Sequence, residues 1–293
     1  DERATPIEHL VVVIAVHGAP RELPAQLGAL RGQTVPGPWE LVLADNGGGD
    51  LAGLVAGLGP AAADLPLRIV DATARPGQAA AMNAALRATT ADAIVLLDAD
   101  DVVGADYLAT MWRALERHPF VAARLDCDRL NPPWLRESRP PTQTDGVGTP
   151  FGFLPSAAGC AIGLRRWAYD LSGGFDESIA AGTDVDLSWR LQLAGVPLTF
   201  VPDAVVHYRY RSDVKGIFRQ AATYGEAGPV LFREHRGVGM PRRRWRSALR
   251  FHFAGFGRLV RVRSKADAAA AVFLVGFRIG LIRGSVRHRT VYL

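Results

Sequence analysis

Four large aliphatic residues, Ile94-Val95-Leu96-Leu97, run directly into Asp98, Asp100 and Asp101. An unbroken apolar run of this length reads as a strand covered on both faces, as in a parallel sheet sandwiched between helices. Three carboxylates at its end repel one another, and burial makes that repulsion costly unless a positive charge sits among them. The residue types suit a hard divalent cation held by one or two carboxylates and shared with substrate phosphates. They equally fit a solvated acidic turn in which Asp101 caps the next helix.

The preceding hundred residues supply the context. Leu10–Val16 is a second buried run, ending at His17-Gly18. Leu23, Leu27 and Leu30 then recur at helical spacing. A strand from Trp39 ends in Asp45-Asn46-Gly47-Gly48, a helix covers 51–58, and 67–70 is a third strand. Arg75-Pro76-Gly77 opens an Ala-rich helix through Asn83 that leads into the acidic strand. This β-α-β-α-β-α-β alternation predicts a doubly wound, mostly parallel sheet, with ligands beyond the carboxyl ends of its strands. His17, Asp45, Arg75 and Asp98 then share one rim. Neither G-x-G-x-x-G nor G-x-x-x-x-G-K-[ST] follows the first strand, so the glycines are no dinucleotide fingerprint. Asp45-Asn46-Gly47-Gly48 reads as a turn on its own, or as a turn whose Asp45 meets a nucleobase edge.

Beyond Asp101 a helix is expected over 106–117, followed by a Pro-rich stretch at 130–155 with little periodicity. Such a loop is usually a lid, an acceptor-shaping loop or disorder. Ala181-Gly182-Thr183-Asp184-Val185-Asp186 opens another helix, capped by Thr183 or Asp184, with Leu187, Leu191 and Ala194 inward and Gly195 as its stop. Helix-dipole compensation accounts for one of its two acids. Asp186 is placed to pair with Arg190 four residues on. Trp189 fits either a sugar-stacking platform or the core. Two further strands are expected at 198–201 and 204–207, the second ending in His207.

In order, the strand at Val11–Val16, Asp45-Asn46-Gly47-Gly48, Arg75-Pro76-Gly77 with Met82-Asn83, Leu97-Asp98-Ala99-Asp100-Asp101, Gly173-Gly174-Phe175-Asp176-Glu177, Thr183-Asp184-Val185-Asp186 with Arg190 and Gly195, and His207 closely resemble the family-2 glycosyltransferases of the GT-A fold. The resemblance covers roughly residues 8–235. It implies a Rossmann-like, mostly parallel α/β sheet flanked by helices and a nucleoside-diphosphate-sugar donor. Asp98-Ala99-Asp100 then matches the D-x-D motif, with Asp100 and His207 holding Mn²⁺ or Mg²⁺ and Asp98 at the donor. Asp45, His17, Arg75 and Asn83 are expected on the donor side, Trp189 on the acceptor side, and Asp184 as general base of a one-step inverting displacement. Thr183 stands where family members often carry a glutamate.

Charge sets the C-terminal part of the chain apart. Residues 1–206 hold 15 basic against 25 acidic side chains, whereas 207–293 hold 19 against 4. Arginines and aromatics interleave from Arg209 through Arg242-Arg243-Arg244-Trp245-Arg246 to Arg263. That pattern suits nucleic acid or an anionic lipid interface, and a peripheral lipid surface is preferred here. The apolar run at 268–277 is half the length of a spanning segment, so an interfacial or core-docking helix is expected rather than an anchor. The boundaries expected are a catalytic domain at 1–235 and a basic helical extension at 236–293. Two cysteines offer no disulfide framework and no zinc spacing, and the N-terminus shows no signal pattern. These features point to the cytoplasm, with the protein peripheral on the inner face of the membrane. The competing readings are an inactive scaffold with a basic lipid- or nucleic-acid-binding tail, and a metal-dependent phosphatase of the haloacid-dehalogenase type. The sugar, the acceptor (glycan, lipid-linked or small molecule) and the oligomeric state are not legible.

Overall fold

The computed structural model describes residues 6–242 and 262–292. Its elements in chain order are β1 (Leu10–Val16), α1 (Leu23–Arg31), β2 (Trp39–Asp45), α2 (Leu51–Gly57), α3 (Pro60–Ala63), β3 (Leu67–Asp71), α4 (Gln78–Arg87) and β4 (Ala93–Asp98). Then follow β5 (Val102–Val103), α5 (Tyr107–Leu115), β6 (Phe120–Asp126), α6 (Pro133–Arg136), β7 (Ile162–Arg165), α7 (Arg166–Leu171), α8 (Thr183–Leu193), β8 (Thr199–His207), α9 (Val214–His235) and α10 (Lys265–Arg287).

The strands form one sheet in the order β3-β2-β1-β4-β7-β6-β8-β5. β1, β2, β3 and β4 are mutually parallel, as the alternation predicts. β7 runs antiparallel to β4 and β6, and β5 antiparallel to β8, so the sheet as a whole is mixed. Side chains alternate across the strands. Val12, Ile14, Val95 and Leu97 pack with Leu23, Leu27 and Leu30 of α1 and Met111 of α5. Val11, Val13, Ile94 and Leu96 pack on the opposite face with Met82 and Leu86 of α4 and Leu187 and Leu191 of α8. Covering both faces is what makes the strands read as continuous apolar runs.

Several elements differ from expectation. β6 interrupts its apolar run with Arg124 and is hidden in the sequence, yet it is the parallel partner of β8. β8 is one strand, not two; its register against β6 jumps from Val201 to Val205, a bulge that accommodates Pro202. α8 is capped by Gly182 at φ 76°, not by Thr183 or Asp184, and Ala194 is exposed at its other end.

The 130–155 stretch contains the short α6 and is tied down by two buried amides. Asn131 Nδ2 donates to the carbonyls of Cys127 and Tyr208, and Gln143 Nε2 donates to that of Ala123. α10 is longer than its uninterrupted apolar run suggests: 23 residues, with a mean hydropathy of 1.6 over an 18-residue window. By length and composition it meets the requirement for a membrane span. In the fold one side of it lies along α9. The basic run at 243–246, Arg250, Arg258 and Arg261, with Trp245, Phe251, Phe253 and Phe256 between them, lies outside the described residues.

Candidate active site

Because β1 to β4 are parallel, their carboxyl ends meet on one rim. Val16, Asp45 and Asp71 are neighbours in register, and Ala15 lies opposite Asp98. A cleft of about 440 Å³ opens over that rim, lined among others by His17, Asn46, Gln78, Asp98, Asp100 and Arg211.

The acidic triplet is not a solvated turn. Asp98 accepts from Gln78 Nε2 at 3.1 Å, and its carboxyl is pushed up to about 7, first by burial and then by the charges of Asp100 and Asp184. Asp100 pairs with Arg211 at 2.5 Å. Asp101 caps no helix, since α5 begins only at Tyr107. Its side chain is buried and accepts from the Arg209 amide at 2.8 Å, while Arg209 Nε donates to the Asp100 carbonyl. Burial and the neighbouring Asp98 raise Asp101 well above the usual carboxylate range, and its Oδ2 is a buried oxygen without a hydrogen-bond partner. Ligand atoms of Asp98, Asp101 and the buried Cys160 lie within 4.8 Å of one another. A crowded, oxygen-rich set of repelling carboxylates with one orphaned oxygen fits a hard divalent cation.

Asp184 comes from a different part of the chain to the same place. It occupies the first turn of α8, where Oδ2 accepts from the Gly159 amide at 3.0 Å and Oδ1 from Val185 at 2.9 Å. Burial nevertheless raises its proton affinity, and its charge is felt at Asp98. One oxygen of this carboxylate is bonded across to Gly159 and the other to its own helix.

His207 reaches the sheet beside the acidic turn, opposite Val102 of β5 and Asp126 of β6. Its Nδ1 is 2.5 Å from Asp126 and its Nε2 2.9 Å from Arg129 Nη1. A guanidinium only donates, so Nε2 carries the lone pair and Nδ1–H donates to Asp126. His17 lines the cleft and packs under Gly48, its Nδ1 3.2 Å from the Asn46 carbonyl. Asp45 accepts from the Gly47 amide at 2.9 Å, which closes the turn.

Of three further expected site residues, Arg75 is engaged in an exposed ion pair, and Asn83 and Trp189 are buried among other partners. Arg75 pairs with Glu177 at 2.6 Å. Asn83, expected at the donor, is buried and fully engaged: its Nδ2 donates to the Phe175 carbonyl and to Glu177, and its Oδ1 accepts from Tyr169 and the Phe175 amide. It latches the Gly-Gly-Phe loop to α4. Trp189, expected to be either platform or core, is core. It is fully buried, edge-on to Phe153 and His235, with its indole N–H on the Leu154 carbonyl. The Asp186–Arg190 pair does form, and His235 of α9 joins it at 2.8 Å.

Other site residues were not singled out by sequence. Gln78 follows a quoted motif and could have been found there. Asp126, Arg129, Cys160 and Gly159 carry no local signal, because strand pairing across β6 and β7 is what delivers them.

Two family models match the chain: glycosyl transferase family 2 over residues 11–171 and glycosyl transferase family group 2 over residues 93–287. Among curated proteins, the pre-mycofactocin glycosyltransferases of two Mycobacterium tuberculosis strains are 29% identical over 180 residues, covering 54% of this chain and 35% of theirs. The chain thus spans about a third of the length of these relatives. Among solved structures, the mannosyltransferase PcManGT of Pyrobaculum calidifontis, in complex with GDP-Man and Mn²⁺, is similar at a TM-score of 0.59 and 19% identity, over 96% of this chain and 86% of that one. Residues 1–349 of S. aureus TarS in complex with UDP are similar at a TM-score of 0.53 and 14% identity, over 97% and 93% of the two chains. At such identities the likeness concerns the fold, which is GT-A.

Proposed function

The chain belongs to glycosyl transferase family 2, and on that footing we propose that it moves a sugar from a nucleoside-diphosphate sugar to an acceptor hydroxyl in one metal-dependent, inverting step. The observation that carries the reading is that Asp184 is bonded to the Gly159 amide next to Cys160, whose sulfur lies within 4.8 Å of Asp98 and Asp101 at the carboxyl end of β4, so that the Asp184 charge acts on Asp98. The donor lies along the cleft, with His17 and Asp45 on the nucleoside side, Arg75 at the outer edge and Asp98 near the ribose or the ion. Asp100 and His207 hold the metal, and the Asp126 carboxylate orients the imidazole in the manner usual for metal-bound histidines. Mn²⁺ or Mg²⁺ there supplies Lewis-acid stabilisation of the charge that builds on the leaving diphosphate. Asp184 accepts the proton of the attacking hydroxyl. Its two backbone amides fix its direction, and burial strengthens it as a base. The 130–155 loop borders this side, since Gln143 Oε1 accepts from Ala158 next to Gly159, and it shapes the acceptor site. The acceptor is a glycan, a lipid-linked sugar or a small molecule.

The catalytic domain spans 1–235 in this reading, and 236–293 is a basic extension docked through α10. A hollow of about 480 Å³ between α9 and α10, lined by Val214, Phe218, Ala271, Val272 and Val275 with Lys215 beside them, supports a peripheral position on the inner face of the membrane. The haloacid-dehalogenase alternative needs an aspartate ending the first strand, where Val16 and His17 stand. The test is transfer or hydrolysis across a panel of nucleotide sugars, with and without Mn²⁺. Asp100→Ala and Asp184→Asn should each abolish transfer, and only the former should weaken metal-dependent donor binding. Full activity in Asp184→Asn would remove the base assignment, and release of phosphate with no sugar transferred or hydrolysed would remove the transferase.

A further inference from the structure

Both side chains assigned to the metal are in contact with arginines. Arg211 Nη1 is 2.5 Å from Asp100 Oδ2, and Arg129 Nη1 is 2.9 Å from His207 Nε2. Each guanidinium therefore engages a donor atom that a cation would need: a carboxylate oxygen of Asp100 and the lone pair of His207. The two arginines come from different elements. Arg129 follows β6, and Arg211 lies between β8 and α9. The Arg211 side chain is half exposed whereas Asp100 is largely covered, so the arginine is the partner free to leave. Arg211 also lines the cleft with His17, Gln78 and Asp98. A guanidinium released there still faces the space assigned to the diphosphate, whose oxygens its planar donor fork fits.

We propose that Arg211 and Arg129 compete with the divalent cation for Asp100 and His207, and that Arg211, once displaced, passes to the donor diphosphate. The inference rests on the metal assignment made above. Its consequence is ordered binding. Metal alone must break two charge-assisted contacts and binds weakly. Metal together with nucleotide diphosphate binds tightly, because the displaced guanidinium finds a second anion. By linkage, the metal tightens the nucleotide by the same factor. Arg211 is in these terms a positioning residue that couples the two ligands.

The test is titration of the full chain with Mn²⁺ without nucleotide, followed through the electron-spin-resonance signal of free Mn²⁺, and then repeated with saturating GDP or UDP. Arg211→Ala should bind Mn²⁺ about three- to tenfold more tightly than the unaltered protein without nucleotide. It should also gain less from added nucleotide. Arg129→Ala should shift Mn²⁺ binding in the same direction through His207. Lys215→Ala removes an equal charge from the first turn of α9, a residue that contacts neither ligand, and should change nothing. Unchanged or weaker Mn²⁺ binding in Arg211→Ala, with Asp100→Ala abolishing it, overturns the competition while leaving the metal site standing. Equal Mn²⁺ binding by Asp100→Ala and the unaltered protein overturns the metal assignment, and the competition with it.

Discussion

Asp186 and Trp189 lie three residues apart on α8, near Asp184, and neither faces the cleft. The Asp186 carboxylate is buried, which alone would raise its pKa, yet contacts with His235 and Arg190 hold it below the ordinary carboxylate range. A depressed folded pKa contributes stability that is present above about pH 4 and is lost as pH falls through the folded value. Asp186→Asn should therefore destabilise the protein at neutral pH by about 3 kcal/mol, since a buried partner is removed from Arg190 and His235. It should also flatten the acid limb of the stability curve, and urea midpoints measured between pH 3 and 7 check both effects. Trp189→Ala should cost about 3–5 kcal/mol in the same assay through the cavity it leaves. In material that stays folded, the KM for acceptor should be unaltered. A large KM change in a fully folded Trp189→Phe variant would return this residue to the acceptor site.

At the scale of elements, α9 and α10 make the most extensive helix–helix contact in the described chain, and glycine is what permits it. A Cβ on Gly280 would lie 2.0 Å from the Ala222 carbonyl oxygen, and one on Gly225 would lie 2.0 Å from that of Phe277. Neither obstacle is a flexible side-chain end, so the helices themselves must part. Gly280→Ala should lower stability by about 2 kcal/mol despite its better helix propensity, and the melting temperature should fall by about 4–8 °C. α9 also carries His235 to Asp186, so this helix joins the basic extension to the element that bears Asp184. Loosening the pair should reduce turnover along with stability, which a comparison of kcat for Gly280→Ala at 15 and 35 °C would reveal.

For the molecule as a whole, the acidic rim and the basic C-terminal part set two expectations. A ligand that binds only the folded state stabilises it by about 2.7 kcal/mol at a hundred times its Kd. Mn²⁺ with GDP or UDP should therefore raise the melting temperature by several degrees, and Asp100→Ala should abolish the shift. The arginine-rich segment should hold the protein on anionic vesicles at low ionic strength and release it as salt approaches 0.5 M, because the Debye length then falls to a few ångströms. Binding to neutral vesicles of equal size is the control. Salt-insensitive retention on both would point instead to insertion of α10, whose length and composition permit it.

The parallel half of the sheet, its flanking helices and the position of acidic residues at strand ends were readable along the chain, because they follow from periodicities of 2 and 3.6 within single elements. The Asp186–Arg190 pair was readable for the same reason, being one helical turn long. What the linear pattern left undecided depended on residues brought together from far apart. Trp189 could have faced a sugar or the core until Phe153 and His235 enclosed it. Asn83 looked like a donor contact until Phe175, Glu177 and Tyr169 used up its amide. His207 acquired its orientation only when β6, a strand broken in sequence by Arg124, came alongside β8 and set Asp126 against it. Local periodicity records which face of an element is buried, whereas a side chain's partner is set by packing between elements that the chain order does not encode.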